Sequence, residues 1–442
     1  MEEDKIRLFE LLGDGFGEVR DNENLMPEIR MGMGLLSDIY RKAQAASDRG
    51  DPVAWISFGV PPEIFHAMDI VPLCDAMFCV ICSLPGVVDK YIDLATEHVP
   101  GYICSTNKIP MGLALSGDVP IPTVWVAQNA PCDSILGVDS SAASYFGIPY
   151  YGIHVPYVNS PSGYKYTAED LKRLVVWLEE QTGRKMNFDK LHEVMVQSNK
   201  AHDLLMKLRE MGTRVPSPYT RFESAPNYPL ATQLIGTPEF VEYLGMSLQR
   251  AQDRVDGKLP YIVDEEKLRI AWIYAMPGYN PELIGDYMRD EYGAVSLTYM
   301  LNNMVVEPTE DISDYDKIML ALGKKVANMP MTRECRGPWE NYGDSSVSIV
   351  KDYKADGAIF AGHIACKSNW AAAKLVKDRI WEELGVPTLN LELDFIDARV
   401  TPGEDVQNRL IDFLEVVKRN KENKAKKAKT LPGKTSTETK KP

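Results

Sequence analysis

No uninterrupted apolar run of about 18 residues occurs in the sequence, so no membrane-spanning helix is predicted. The opening residues, MEEDKIRLFELLGDGFGEVR, are charged from the second position and lack an apolar core before a small-residue cleavage site. That pattern predicts no signal peptide and a cytoplasmic protein. No GxxxxGK[ST] stretch is present, which argues against ATP binding through a P-loop, and no GxGxxG follows a strand-like segment, which leaves a dinucleotide site unsupported. Cysteine is scarce and odd in number, with seven residues at positions 74, 79, 82, 104, 132, 335 and 366. An odd count in a long chain without a leader argues against a disulfide framework. No paired CxxC zinc pattern occurs; the lone CxxC, Cys79 to Cys82, lies in MFCVICSL, and both thiols are expected in the core.

Positive charge is also short. Lys and Arg number 49 against 63 Asp and Glu, a net charge of −14. The deficit is uneven: from Lys418 onward there are ten Lys or Arg and two Glu, so the preceding body is near −22. Such a body argues against a nucleic-acid partner, since phosphate contacts need a basic face. The tail itself lacks aromatics and any apolar period and is expected to be disordered.

What is present is the composition of a globular protein, 45% hydrophobic and 25% charged over 442 residues. That length predicts two or three domains at about 150 residues each. Residues 1–50 read as amphipathic helices. A short apolar strand follows at 53–58, broken by Gly59-Val-Pro-Pro62, with a helix opening at Pro62 and Glu63 and a second strand at 70–73. A weak internal repeat then organises the chain. Residues 122–132 (PTVWVAQNAPC), a helix and 146–154 (FGIPYYGIH) form one copy; 356–366 (DGAIFAGHIAC), a helix and 384–391 (LGVPTLNL) form the other. Each reads strand, loop, cysteine, helix, Gly–Ile/Val–Pro, strand. The glycine ends the helix and the proline admits only extended chain next. Two such βαβ units predict an α/β protein with two Rossmann-like parallel-sheet domains and a helical insert. The expected organisation is N-terminal helices at 1–50, a first α/β domain at 51–165, the helical insert at 166–262, a second α/β domain at 263–415 and a disordered basic tail at 416–442. In the insert, helices are predicted from a capping box at Thr167–Asp170, from Asn187 or Asp189 to about Met211, and from Glu239 to about Gly257. The second domain is predicted to open with the strand 268–274, a helix at 281–292 and a strand at 295–299.

Both repeat copies place a cysteine, Cys132 or Cys366, beyond a strand's carboxyl end at a helix start. That edge of an open α/β sheet is where ligands bind. A helix N-terminus also favours the thiolate. The competing reading is two small buried residues, since free cysteine is among the most buried types. Cys104, in GYICSTN before a further helix, adds a third thiol in a polar loop. Three thiolates converging from separate loops can hold an iron–sulfur cluster and leave one iron open, by the logic of catalytic zinc.

The ordered set Cys104-Ser, Cys132-Asp and Cys366-Lys-Ser-Asn-Trp370, then Gly385-Val-Pro, Leu391-Glu-Leu-Asp394, Asp397-Ala-Arg399 and Asn408-Arg409, resembles the 2-hydroxyacyl-CoA dehydratase and benzoyl-CoA reductase family. Gly59-Val-Pro-Pro-Glu63 resembles its N-terminal signature. The middle segment, Arg214-Val-Pro-Ser-Pro218 and Val241-Glu-Tyr-Leu-Gly245, looks most like its larger subunits. The resemblance covers most of residues 50–415. It implies a [4Fe-4S] cluster held by Cys104, Cys132 and Cys366, an acyl-CoA substrate, a related second iron–sulfur subunit, and a separate ATP-hydrolysing iron–sulfur activator that donates electrons. The implied chemistry is one-electron reduction of the thioester to a ketyl radical that expels the 2-hydroxyl. An ATP-dependent aromatic-ring (benzoyl-CoA) reductase and a double-cubane or electron-transfer paralogue are the alternatives; the double-cubane type draws on further cysteines, with Cys74 and Cys335 near matching positions.

Other candidates carry two readings each. Ser57 and Glu63 flank the turn after the first strand, where the resemblance implies catalytic polar groups near the substrate. Glu63 moves a proton, or it is a first-turn helix carboxylate. His363 reaches the cluster or thioester, or is a loop histidine without a role. Asp394, Asp397 and Arg399 are expected to form a structural network, and Lys367 and Trp370 to pack at the helix start.

Overall fold

The computed structural model describes residues 6–82, 87–263, 265–274, 276, 287–303, 308–309 and 311–430, with the side chains of 79–82 and 428–430 excepted. The expectation for the thiols of Cys79 and Cys82 therefore lies outside the described residues, as do the start of the helix expected at 281 and the last twelve positions of the tail.

Eight strands form two four-stranded sheets. The first contains β1 (Val53–Ile56), β2 (Val71–Cys74), β3 (Val124–Gln128) and β4 (Tyr150–Ile153) in the order β2-β1-β3-β4. The second contains β5 (Leu268–Tyr274), β6 (Ala294–Tyr299), β7 (Gly357–His363) and β8 (Thr388–Leu393) in the order β6-β5-β7-β8. Every described pairing is parallel. The two sheets repeat one topology, as the internal repeat predicts. β1, β3, β5 and β7 are buried along their whole length, which is why they read as continuous apolar runs rather than alternating ones. The crossover helices Asp133–Phe146 and Lys367–Leu384 end at Gly147 (φ 67°) and Gly385 (φ 60°), the left-handed positions that the Gly–Ile/Val–Pro motif supplies. Under the first sheet Trp55 and Trp125 meet edge to face at 4.9 Å. The Trp125 indole donates to Asp75 (2.8 Å), which is buried beside the equally buried Asp139.

The insert is helical: Pro161–Thr182, Phe188–Gly212, Asn227–Leu234 and Pro238–Val255. Asn187 caps the second helix, accepting from the Lys190 amide at 3.1 Å. The first begins earlier than the Thr167–Asp170 motif suggested. Ser160 is its cap, accepting from Gly163 N at 3.0 Å, and Asp170 instead accepts from the His154 amide (2.7 Å) and the Tyr151 hydroxyl (3.0 Å). Buried Arg254 pairs with Glu28 at 3.2 Å and Glu223 at 3.3 Å, tying the N-terminal helix Pro27–Arg49 to the insert.

The disorder expected from 416 is corrected over residues 416–430. A helix runs from Gly403 to Thr430. Val406, Leu410, Phe413, Leu414 and Val417 bury one stripe of it. Beyond the stripe, Asn420 and Lys424 donate to the carbonyls of Gly385 (3.1 Å) and Leu384 (3.1 Å), the negative end of the helix Lys367–Leu384. Lys421 pairs with Asp356 at 2.8 Å. Two of the tail's lysines, Lys421 and Lys424, thus find partners in the fold. No helix among the described residues is long and apolar enough to cross a membrane.

Candidate active site

The carboxyl ends of the two sheets face a common cavity of about 580 Å³. Its wall is built from the segments that leave each strand: Phe58 after β1, Asn129 to Ile135 after β3, His154 to Tyr157 after β4, Tyr274 and Met276 at β5, Tyr299 and Leu301 at β6, Ala365 to Ser368 after β7, and Phe395 and Ile396 after β8. The insert adds Arg221 and Tyr228. A volume of this order suits a small organic ligand. Two lining residues hold left-handed backbone conformations without being glycine, Tyr274 (φ 82°) and Met331 (φ 67°). Such strain persists only where surrounding structure enforces it, and it concentrates at binding sites.

Four thiols line this cavity: Cys104, Cys132, Cys335 and Cys366. Cys104, Cys132 and Cys366 each sit at the cap position before a helix, Ser105–Ser116, Asp133–Phe146 and Lys367–Leu384 respectively, as the sequence predicts. Their ionisation differs. Burial raises the Cys104 thiol, but the charge and hydrogen bond of His363 outweigh it and hold the thiol below its usual range. Burial pushes Cys132 up to about 11 and Cys366 up to about 12, against the pull of their own helices' first amides. Cys335 is also driven well up by burial, then by the charge of Cys366. The helix terminus alone therefore does not lower a thiol's pKa here; the buried histidine does.

The expected [4Fe-4S] cluster is corrected by the same geometry. Among the described residues no group of three or more His, Cys, Asp or Glu side chains could hold a metal ion. The four thiols share a cavity wall, yet each is engaged locally: Cys104 with His363, Cys132 with the Asn107 amide (3.8 Å), Cys335 with the Asn369 carbonyl (3.9 Å) and Cys366 with the backbone amides of Ser368 and Asn369. The donor set does not fit the cluster that the resemblance implied.

Behind Cys104 lies a buried relay that joins the two halves. The Ser105 hydroxyl donates to Asp394 Oδ1 (2.7 Å) and contacts His363 Nε2 (3.0 Å). The Ala365 amide donates to His363 Nδ1 (3.2 Å), so Nε2 carries the proton and donates to Ser105. Burial pulls the His363 pKa down, but Cys104 and Asp394 outweigh it and the net shift is upward. Asp394 Oδ1 also accepts from the amides of Ile396 and Asp397, both at 2.9 Å. Arg399 binds Asp397 (2.8 Å) and reaches Asp93 (3.0 Å). These three form the structural network expected of them. Lys367 pairs with Asp133 at 3.0 Å, and Trp370 donates to the His363 carbonyl at 3.0 Å.

Ser57 and Glu63 are not among the residues lining the cavity. Ser57 Oγ accepts from the Gln128 amide (3.1 Å), fixing the turn that carries Phe58. Glu63 is fully buried, forms an ion pair with Lys325 and accepts from Ser198 at 2.7 Å. Sequence reasoning missed Arg221, Arg336, Ser105 and the tyrosines Tyr274 and Tyr299, all near or on the cavity wall. Ser105 adjoins Cys104 in the motif and was within reach; Arg221 lies in a loop with no pattern to mark it.

The family model for the 2-hydroxyglutaryl-CoA dehydratase, D-component, matches residues 57–417. A benzoyl-CoA reductase subunit of Thauera aromatica is 23% identical over 345 residues, covering 71% of this chain and 76% of that protein. The (R)-phenyllactyl-CoA dehydratase alpha subunit of Clostridium sporogenes is 23% identical over 398 residues, covering 86% and 93%. The alpha subunit of lactoyl-CoA dehydratase from Anaerotignum propionicum is 22% identical over 426 residues, again covering 86% and 93%.

Proposed function

The chain belongs to the 2-hydroxyglutaryl-CoA dehydratase, D-component family, and from that premise we propose that this enzyme of the dehydratase–reductase type binds an acyl-CoA thioester and removes water from a 2-hydroxyacyl-CoA. One observation carries the reading: two sheets of like topology turn their carboxyl ends on a single cavity of about 580 Å³, whose lining is mostly aromatic, aliphatic and thiol. Such a lining accepts an acyl arm and excludes water from it. The chemistry needs that exclusion. The hydrogen lost in this dehydration sits on the β-carbon, which an ordinary thioester does not acidify. An electron delivered to the thioester carbonyl by a separate ATP-hydrolysing donor makes it a ketyl; loss of the 2-hydroxyl as hydroxide then acidifies the β-hydrogen, and once that proton is gone the electron returns to the donor, so the dehydration is redox-neutral. This chain's residues bind, orient and keep the site dry. Ser57 acts through position, by holding the Phe58 wall, and Glu63 by locking the helix Pro62–Ala67 that follows.

A related second subunit and the activator are proposed partners. The test is to combine the chain with both and follow 2-enoyl-CoA formation from a panel of 2-hydroxyacyl-CoAs by mass spectrometry. No enoyl product from any of them would remove the reading. The likeness to the Thauera aromatica benzoyl-CoA reductase favours one second reading, an aromatic-ring reductase. ATP consumed with every turnover, rather than for activation alone, would select it.

A further inference from the structure

β4 ends at Ile153, and His154 is the first residue beyond it, on the carboxyl edge that opens on the cavity. The residue is exposed and lines the cavity beside Asn129. An exposed imidazole ordinarily turns freely, but here backbone and ring are both held. The His154 amide donates to Asp170 Oδ2 (2.7 Å), and Asp170 is itself buried and bound by the Tyr151 hydroxyl (3.0 Å) and by Arg173 (3.0 Å). The Tyr166 ring meets the imidazole edge to face, with centroids 5.9 Å apart. Asn129 engages Nδ1. The Val155 amide donates to Asn129 Oδ1 (2.8 Å), which fixes which end of that side chain is oxygen, because a backbone N–H can only donate. The Asn129 nitrogen then donates one hydrogen to the Val155 carbonyl (3.2 Å) and the other to His154 Nδ1 (3.2 Å). Nδ1 is therefore an acceptor. The neutral imidazole carries its proton on Nε2, and Nε2–H is the polar group the ring has left to offer.

We propose that His154 donates its Nε2–H to the thioester carbonyl of the bound acyl-CoA, with Asn129 as the positioning residue that sets the tautomer. This rests on the acyl-CoA reading above and deepens it. The carbonyl oxygen can only accept, as Nε2–H can only donate, whereas the 2-hydroxyl and the amides of the pantetheine arm do both. The carbonyl oxygen is also where negative charge gathers when the ketyl forms. A hydrogen bond aimed at it strengthens as that charge grows, and so favours the reduced thioester over the merely bound one. A neutral imidazole suits the task, because it polarises an oxygen without handing over a proton.

The experiment is equilibrium binding to the full chain without the electron donor, so that nothing turns over. Butyryl-CoA is compared with S-butyl-CoA, the thioether in which a methylene replaces the carbonyl, with 2-hydroxybutyryl-CoA, and with free CoA. The wild type should bind the thioester about twofold to tenfold more tightly than the thioether, the range of one neutral hydrogen bond. His154→Phe keeps a ring against Tyr166 but has no donor; it should abolish that preference and leave the thioether's affinity unchanged. His154→Gln, whose amide offers an N–H, should retain part of it. In the enzyme assembled with its partners, His154→Phe should lower turnover by about a hundredfold or more, as loss of a donor to a developing oxyanion does. Ring 15N shifts of the free chain, with His154 assigned by its loss in His154→Phe, read the tautomer directly, and a neutral ring protonated on Nδ1 overturns the proposal. So does a wild type without the preference, or a preference that survives His154→Phe, in each case leaving acyl-CoA binding standing. Equal weakening of thioester and thioether assigns His154 to the pantetheine arm, and an effect confined to 2-hydroxybutyryl-CoA assigns it to the hydroxyl; either overturns the carbonyl contact. Binding of none of the acyl-CoAs overturns the acyl-CoA reading itself, and the role of His154 with it.

Discussion

Replacing Asp75 and Asp139 together by asparagine tests how the first sheet's core is charged. The two carboxyl groups are buried side by side, and the Trp125 indole donates to Asp75. Burial raises the Asp75 pKa to about 7, against the indole's pull, and raises Asp139 well above its usual value, with the charge of Asp75 adding to the effect. Nearby Tyr150 is pushed up by burial and by both acids. In the unfolded chain an aspartate titrates near about 3.9. The folded pKa of Asp75 is therefore the higher one, and between about pH 4 and pH 7 the native state holds a proton that the unfolded state has released. Its stabilising contribution is complete below about pH 4 and is lost as pH rises through 7. One proton corresponds to about 1.4 kcal/mol per pH unit, so about three units amount to about 4 kcal/mol. The double substitution keeps the shape, the acceptor for Trp125 and a hydrogen bond within the pair, but nothing titrates. Thermal midpoints at a fixed scan rate, from pH 5 to pH 8, should fall more steeply for the wild type, and the variant should be the more stable protein at pH 8. Parallel curves for the two proteins would refute the account in which burial keeps Asp75 protonated.

Glu63→Gln should cost about 3–5 kcal/mol in stability, because it leaves the Lys325 ammonium buried without its counter-ion. Adding Lys325→Met should restore most of that loss in denaturant titrations, and a double variant no better than the single one would show that the pair is not what matters. At pH 7 iodoacetamide should label Cys104 before Cys132, Cys335 and Cys366, since the thiolate is the nucleophile and Cys104 alone of the four is shifted downward. His363→Asn should slow labelling of Cys104 specifically in peptide mass spectra; an unchanged order would detach that thiol's ionisation from His363.

The sheets were legible because their signals are local. β5 reads from sequence to the residue, as a run buried on both faces, and the repeat follows from Gly–Ile/Val–Pro punctuation at Gly147 and Gly385. The helix from Pro161 was misplaced because Thr167 and Asp170 have the spacing of a cap, and only the fold shows Asp170 engaged with β4 and its following loop. The tail deceived for a related reason: its lysines look solvated until the carbonyls of Gly385 and Leu384 are brought beneath them. In the site, a cysteine before a helix can be read off the chain, but what its sulfur meets cannot. His363 beside Cys104, Asn369 beside Cys335 and Lys325 beside Glu63 are all contacts between distant segments. The expected cluster failed at that step, since placing three thiols on one wall does not make them a donor set.

Sheet topology suggests two self-sufficient halves, each with four strands and its own crossover helices. The contacts across them say otherwise. Ser105 donates to Asp394 at 2.7 Å, Gln128 donates to Thr332 at 3.2 Å, and Glu63 is paired with Lys325; in each case both residues are buried and lie on opposite halves. Cut apart, one half would keep a carboxylate without its ammonium and the other an ammonium without its carboxylate, and both would lose hydrogen bonds that water could replace only by entering the core. The architecture is modular to the eye, yet buried polar contacts couple its halves, and neither half is complete without the other's polar groups.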